Sequence, residues 1–363
     1  MIAALSFAPD IGILKQRIVN SGQNGEDIGV LRESGIGTDA TNAHSARCNI
    51  DIHRIGHRIG HLIGEFHHMT QKTVGIVGVG LMGHGIAKNI VSKGWTLGFL
   101  SHPGNQPTAD IEALGAKPYS TRAALAAVSD IVLLCVTGSP EVEAVLSGPD
   151  GLLATVKPET IIIDCSTALP TSTESLAAQA KAVGAHFLDA AMTRTPVEAE
   201  AGRLNLLIGG DDALYAEVLP LLETFSENRF HAGPVGAGHK LKLLHNFVSL
   251  GLVTLVSEAA ACAAAGGIAP EIFVDVLKKG GGYGAALDRL SPFLLEGDTT
   301  KLKFSVANAY KDLSYYAAMT DSLGVTNKVA SGVHATLDAL MKAGHATDYM
   351  AQAPAFLAEL KTS

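Results

Sequence analysis

Beyond residue 69 the chain alternates short, continuous apolar runs with longer stretches whose apolar positions recur every three to four residues. The runs at 72–79 (KTVGIVGV), 96–100, 130–136 (DIVLLCV), 160–165 (TIIIDC), 186–190 and 204–208 are rich in β-branched residues. Such unbroken apolar segments are the pattern of parallel strands buried on both faces. Between them, 121–128, 141–146 and 173–183 carry Ala and Leu at amphipathic helical spacing. Strands alternating with helices predict βαβ crossovers, and so a doubly wound, parallel α/β sheet covered on both faces. After about residue 234 the strand-like runs stop. Helical periodicity takes over at about 239–265, 270–279, 304–323 and 327–343, which predicts an all-α C-terminal domain. The expected domains are therefore 69–234 and 235–363.

Residues 1–68 follow neither period, and Gly interrupts each short apolar patch. They carry the tandem HRIG, HRIG, HLIG at 53–64 and six of the 14 histidines. His53, His57 and His61 would share one face of a helix, a possible metal tract. A Gly at every fourth position works against that helix by about 1 kcal/mol each relative to Ala. The expectation is a disordered appendage, or translation begun upstream of a true start at Met69, with no metal site.

Composition narrows the picture. The 363 residues carry a formal net charge of −8, which argues against a protein that reads a nucleic-acid backbone. Cys48, Cys135, Cys165 and Cys262 are widely spaced, so neither a disulfide framework nor a structural zinc site is expected. The uncharged run 247–257 is well short of the ~20 apolar residues a spanning helix needs, and it is read as a buried helix. No cationic start followed by an apolar run marks a secretory signal, and seven acidic residues before Met69 fit a transit peptide poorly. A cytoplasmic protein without membrane or nucleic-acid partners is expected.

The first chemistry-bearing motif is Gly78-Val79-Gly80-Leu81-Met82-Gly83, between the first strand and a helix through 86–91. In a Rossmann-type dinucleotide site Gly78 makes the tight turn, Gly80 admits the pyrophosphate, and Gly83 lets helix and strand pack closely. The amides at the helix start, near Leu81 and Met82, then face the diphosphate charge. An NAD site usually has an acid at the end of the second strand. Here that strand ends FLSHP, with Ser101 and His102 in place of an acid and no Arg to reinforce them. NAD or NADP is implied, with NADP marginally favoured.

Taken together with GIVGVGLMGHGIAKNI at 75–90, the motifs DCSTALP at 164–170, DAAMTRTPVEAEAGRL at 189–204, GAGHKLKLLHN at 236–246 and Lys311-Asp312-Leu313 occur in the order seen in one family. The chain resembles the β-hydroxyacid dehydrogenases from about residue 73 to 350. The resemblance implies a 6-phosphogluconate dehydrogenase-like fold and a homodimer or homotetramer. It also implies hydride transfer between NAD(P) and a small acidic 3-hydroxy acid or its semialdehyde. By resemblance, Lys242 is the general acid–base, Asn246 helps hold the substrate, Ser166 and Thr167 approach nicotinamide and substrate, and Lys311 lies near the cofactor. The i, i+4 spacing of Lys242 and Asn246 places them on one helical face. Burial beside other cations, with Lys240 and Lys311 as candidates, should lower the Lys242 pKa toward working pH.

The departure lies at Thr193-Arg194-Thr195, where the family usually has Ser-Gly-Gly and binds the substrate carboxylate through backbone amides. Arg does not take up the backbone of Gly freely. The expected compensation is a guanidinium that binds an oxyanion group directly, and a similar Arg-Thr occurs in the sulfolactaldehyde reductase branch. An alternative pairs Arg194 with Glu198 or Glu200. His245 and Ser249, one turn apart, could add donors to the same anion. An imine reductase-like enzyme and a non-catalytic scaffold are the rival readings. The retained Lys242 counts against both.

Overall fold

The computed structural model describes residues 72–360, all of which fall within the compact unit Leu62–Ser363. The histidine repeat and the proposed start at Met69 lie outside the described residues. The eight strands are β1 (Val74–Val77), β2 (Leu97–Leu100), β3 (Lys117–Tyr119), β4 (Ile131–Leu134), β5 (Ile161–Asp164), β6 (His186–Thr193), β7 (Leu204–Gly209) and β8 (Ser226–Gly233). They form one sheet in the order β3-β2-β1-β4-β5-β6-β7-β8. Strands β1 to β6 pair in parallel, and β7 pairs antiparallel to β6 and parallel to β8. The fold is the expected Rossmann-type sheet followed by a helical domain, with one antiparallel pairing, β6–β7, in the otherwise parallel sheet.

Alternation within each apolar run explains the two-sided burial. Val74 and Ile76 of β1, Ile131 and Leu133 of β4, and Ile161 and Ile163 of β5 enter one core. Their neighbours Val77, Val132, Leu134 and Ile162 enter the core on the opposite face. Burying each such side chain contributes about 1.5–3 kcal/mol, so neither face tolerates a polar substitution cheaply. The sequence pattern missed β3 and β8 because both are sheet edges with largely exposed, polar residues. Strand order reverses between β1 and β4, which opens a crevice beyond their carboxyl ends.

Helices α1 (Gly83–Ser92), α2 (Ala109–Ala113), α3 (Arg122–Val128), α4 (Ser139–Leu146), α5 (Pro170–Ala182), α6 (Pro196–Glu200) and α7 (Asp212–Leu222) accompany the sheet. The helical domain comprises α8 (Ala237–Ala265), α9 (Pro270–Lys279), α10 (Ala285–Glu296), α11 (Val306–Leu323), α12 (Lys328–Lys342) and α13 (Ala353–Glu359). Pro220 and Pro292 sit inside α7 and α10. An interior proline removes one helical hydrogen bond, and neither helix was among those expected from the sequence.

The 29-residue α8 is long and apolar enough to cross a membrane by length and composition, an 18-residue window within it having a mean hydropathy of 1.8. Packing explains that character: α8 runs against β6, β7, β8 and α5 at one end and against α9 to α13 along the rest. Leu243, Leu250 and Val253 on its inner side join Leu287, Leu290, Leu313 and Leu337 in the helical core.

A candidate active site between the sheet and the long helix

The glycine loop has the geometry a diphosphate requires. Gly78 has φ +96°, and a Cβ there would meet the Cys135 carbonyl at 2.2 Å. At Gly83 a Cβ would lie 1.8 Å from the Gly78 carbonyl, which is the close packing of α1 onto the turn. A Cβ on Gly80 would meet nothing within 4 Å, so this residue faces open space at the mouth of the crevice. No side chain caps the start of α1 at Met82, and Leu81 is exposed. The helix start is thus open to an anion, and the residues fit a bound dinucleotide.

Beyond the end of β2, Ser101, His102, Asn105, Thr108 and Glu112 line a cavity of about 380 Å³. The Gly104 amide donates to His102 Nδ1 at 3.0 Å, which leaves Nε2 as the protonated nitrogen of the neutral ring. Thr108 donates to Glu112 at 2.6 Å. Asn105 ties the cavity to the glycine loop by accepting from the Val79 amide and donating to the Leu100 carbonyl.

A buried carboxylate sets the start of α8. Asp189, at the middle of β6, accepts from the backbone amides of Gly236 and His239, each at 2.7 Å. A negative charge at this helix end also opposes the helix dipole. Gly236 takes φ +88°, a backbone that favours glycine, whereas a Cβ on Gly238 would lie 2.3 Å from the Leu207 carbonyl, so Gly238 serves the close docking of α8 onto the sheet. Burial pushes the Asp189 carboxyl up, while His239 and the two amides oppose that shift. His239 is wholly buried; its Nε2 donates to the Ser166 carbonyl at 3.2 Å, and Nδ1 lies 2.7 Å from the Thr173 hydroxyl.

One turn further along α8, Lys242 and Asn246 share a face as their spacing predicts. Asn246 is buried; its Nδ2 donates to Asp312 at 2.6 Å, and its Oδ1 accepts from His245 Nδ1 at 2.9 Å. These two bonds fix which way the amide points. Asp312 is itself buried, and its second oxygen lies 3.2 Å from Lys311 Nζ. Burial lowers the Lys242 pKa, Asp312 raises it and Lys311 lowers it, leaving the ammonium at about 8. His245 is held below the ordinary imidazole range by burial, with Lys242 and Arg289 adding to the effect. Ser249 lies half-buried one turn beyond it.

Lys240 does not join this group. Its ammonium pairs with Glu174 at 2.8 Å. Residues two apart on a helix face different ways, so only Lys311 of the two candidate cations bears on Lys242.

At Thr193-Arg194-Thr195 the structure departs from expectation. Arg194 adopts φ +82°, so the turn keeps a backbone suited to Gly at a strain of about 1–2 kcal/mol. Its guanidinium makes no ion pair with Glu198 or Glu200. It donates to the Glu227 carboxylate and the Arg203 carbonyl. Those two anchors, on β8 and just before β7, offset the strain. The Thr195 hydroxyl and amide both engage Glu198, capping α6, and the Thr193 hydroxyl accepts from Asn205 at 3.0 Å.

Ser166 is likewise held within the fold: its Oγ accepts the Val136 amide at 3.0 Å, and its own amide donates to Asp164 at 2.9 Å. Thr167 follows it, half-buried at the β5–α5 corner. Asp189, His239 and Asp312 are the polar residues that sequence reasoning did not single out. All three stood inside quoted motifs, and Lys-Asp-Leu already placed Asp312 beside Lys311. Among the described residues, no cluster of three or more His, Cys, Asp or Glu could hold a metal ion.

Comparison with known proteins agrees with this geometry. The family profile for the NAD-binding domain of 6-phosphogluconate dehydrogenase matches residues 73–233. That for the NAD-binding region of NADP-dependent 3-hydroxyisobutyrate dehydrogenase matches 236–356. An uncharacterised oxidoreductase of Synechocystis sp. is 35% identical over 250 residues, covering 68% of this chain and 84% of the relative. A 3-hydroxyisobutyrate dehydrogenase of Pseudomonas aeruginosa is 30% identical over 61% of this chain and 74% of its own length. The crystal structure of a 3-hydroxyisobutyrate dehydrogenase from Salmonella typhimurium superposes with a TM-score of 0.70 at 25% identity, covering 78% of this chain and 99% of that one. With its glycine loop, its half-buried lysine and these relatives, the chain belongs to the β-hydroxyacid dehydrogenase family of NAD(P)-dependent oxidoreductases acting on CH–OH groups.

Proposed function

We propose that this protein interconverts a small acidic 3-hydroxy acid and its semialdehyde, with Lys242 as the general acid–base. The observation that carries the reading is a half-buried lysine held at about 8, one turn from an asparagine whose amide is locked by a buried carboxylate. A bound nicotinamide dinucleotide supplies the hydride acceptor or donor. The chain supplies position and the proton. In oxidation, neutral Lys242 takes the hydroxyl proton as the carbonyl forms. In reduction, the charged form returns it to the carbonyl oxygen.

A group with a pKa near 8 populates both states around neutrality, which general acid–base chemistry requires. Oxidation should therefore rise, and reduction fall, as pH passes through about 8. Asn246 holds the substrate oxygen beside Lys242; Asp312 and His245 keep its amide from turning. The anionic end of the substrate falls to the 193–195 turn, His245 and Ser249. Arg194 holds Glu227 and the Arg203 carbonyl through one guanidinium nitrogen, Nη1, which leaves its other donors for the anion.

NADP(H) is the preferred cofactor in this reading. The support is the absence of an acid at the end of β2 and the donors Ser101 and His102 Nε2 in the adjoining cavity. We further propose a homodimer or homotetramer. Leu244, Val248, Leu252 and Leu255 form an exposed stripe on α8, which such association would cover.

The test is a steady-state panel of small hydroxy acids and acidic aldehydes with NAD(H) and NADP(H), on the wild type and on Lys242→Ala. The variant should lose about 10²–10⁴-fold in turnover while still binding dinucleotide. Equal turnover in the two proteins would refute the assignment.

A further inference from the structure

The crevice at the strand-order reversal has two walls, the glycine loop and the segment that joins β4 to α4. Two side chains of α11 grip that second wall. Lys311 Nζ donates to the Thr137 carbonyl, and the Tyr315 hydroxyl accepts from the Ser139 amide at 3.2 Å. Ser139 stands in the first turn of α4, which has no side-chain cap. The phenol oxygen therefore takes one of the amides that a helix start leaves without a partner. The Lys311 ammonium also lies 5.4 Å from the centre of the Tyr315 ring, a cation–π distance.

The fit is reciprocal. Gly138 has an extended backbone, φ −173°, that any residue can adopt. A Cβ there would nonetheless lie 2.7 Å from the Tyr315 oxygen and 3.4 Å from Lys311 Cδ. The glycine answers to the closeness of α11, not to the demands of a turn. Ser139 is bound from the other side as well, since its Oγ accepts the Leu169 amide at 2.7 Å. The wall is thus held between the β5–α5 corner and α11.

We propose that Tyr315 is a positioning residue for the reaction: it pins α11 to the crevice wall and holds the Lys311 ammonium where its charge acts on Lys242. The proposal rests on the reading of Lys242 given above and extends it to a residue outside the reacting group. The titratable groups around Lys242 are Asp312 and Lys311 from α11 and the neutral His245 from its own helix, with Arg289 of α10 acting on His245. Of these, Lys311 is the cation that lowers the Lys242 pKa, and Tyr315 is the contact that can be removed without touching either lysine. Without Tyr315, Lys311 keeps Asp312 and the Thr137 carbonyl but loses the ring and the fixed position of the wall, so its ammonium is less closely confined and Lys242 should hold its proton to higher pH.

The experiment compares Tyr315→Phe, Tyr315→Leu, Gly138→Ala and the Gly138→Ala/Tyr315→Leu pair in the full chain. The readout is the pH dependence of Lys242 modification by trinitrobenzenesulfonate, followed at its own peptide by mass spectrometry. It needs no substrate, so failure of the dehydrogenase reading and failure of this proposal are distinguishable. In Tyr315→Leu the midpoint should move up by roughly half a pH unit. Tyr315→Phe, which keeps the ring, should move it less. Gly138→Ala should move it in the same direction in the wild-type background and add nothing to Tyr315→Leu. An unmoved midpoint in all variants, or shifts that simply add, would overturn the proposal. Should Tyr315→Leu not fold, Tyr315→Phe and Gly138→Ala decide it on the same midpoint.

Discussion

Replacing Lys242 by Met should make the protein more stable and nearly inactive. Burial holds the ammonium at about 8 against an ordinary 10.5, so folding works against the charged form. At ~1.4 kcal/mol per pH unit this amounts to about 3 kcal/mol at neutral pH. Met keeps most of the apolar stem and removes the charge, while Asp312 retains Lys311 as its partner. A net gain of about 1–3 kcal/mol follows, or roughly 2–6 °C in Tm for a domain of this size. The sign depends on pH. Below about 8 both folded and unfolded chains carry the proton, and the wild type bears the whole cost. Between about 8 and 10.5 the folded protein has released the proton that the unfolded chain still binds, so the wild type gains on the variant as pH rises. Thermal melts of both proteins at pH 7 and at pH 10 test this directly, since titrations common to the two cancel in the difference. A lower Tm for Lys242→Met at pH 7, or a difference that does not shrink by pH 10, would show that the lysine is not held against its charge.

Arg194 and Glu227 divide two accounts of substrate recognition. If the guanidinium serves to anchor the turn, Arg194→Gly should leave KM for an anionic substrate within about twofold, because Gly accepts the left-handed backbone without strain. A tenfold rise in KM in Arg194→Gly but not in Glu227→Gln would make the guanidinium a substrate ligand. The glycine loop predicts a split between binding and folding. Gly80→Ala should fold normally but bind dinucleotide more weakly in calorimetry, whereas Gly83→Ala should lower Tm, since its Cβ would meet the Gly78 carbonyl at 1.8 Å. His84 bridges Glu200 of α6 and Asp110 of α2 from α1, at 2.6 and 3.0 Å. Burial alone would lower its pKa, but the hydrogen bonds to Glu200 and Asp110 outweigh that effect and raise it. Its stabilisation is full below the ordinary value of 6.5 and fades as pH rises through the raised one, so His84→Gln should lower Tm clearly at pH 6 and little at pH 9.

What was legible in the chain, and what was not, follows from the range of the interactions. The strands of the sheet interior announced themselves because burial on both faces demands unbroken apolar runs, as in Ile161–Asp164. The edge strand Ser226–Gly233 left no such mark, being polar and mostly exposed, and it reverses no rule of local propensity. Its presence matters to the site all the same, because it carries Glu227, which pairs with Arg194. An ion pair across 33 residues leaves no signal in local spacing. The Lys242–Asn246 pair was legible through the resemblance of its motif, to which the four-residue spacing added only a shared helical face; the carboxylate that orients Asn246 was not, because it arrives from α11, 66 residues away. Local periodicity thus places the pair on one face, and long-range contacts decide its charge and its reach. The same division explains Gly138, whose backbone needs no glycine and whose reason is the Tyr315 hydroxyl 2.7 Å from where a Cβ would stand. A glycine without a turn to justify it therefore marks the approach of a distant element, and here that element is the helix bearing both Lys311 and Asp312.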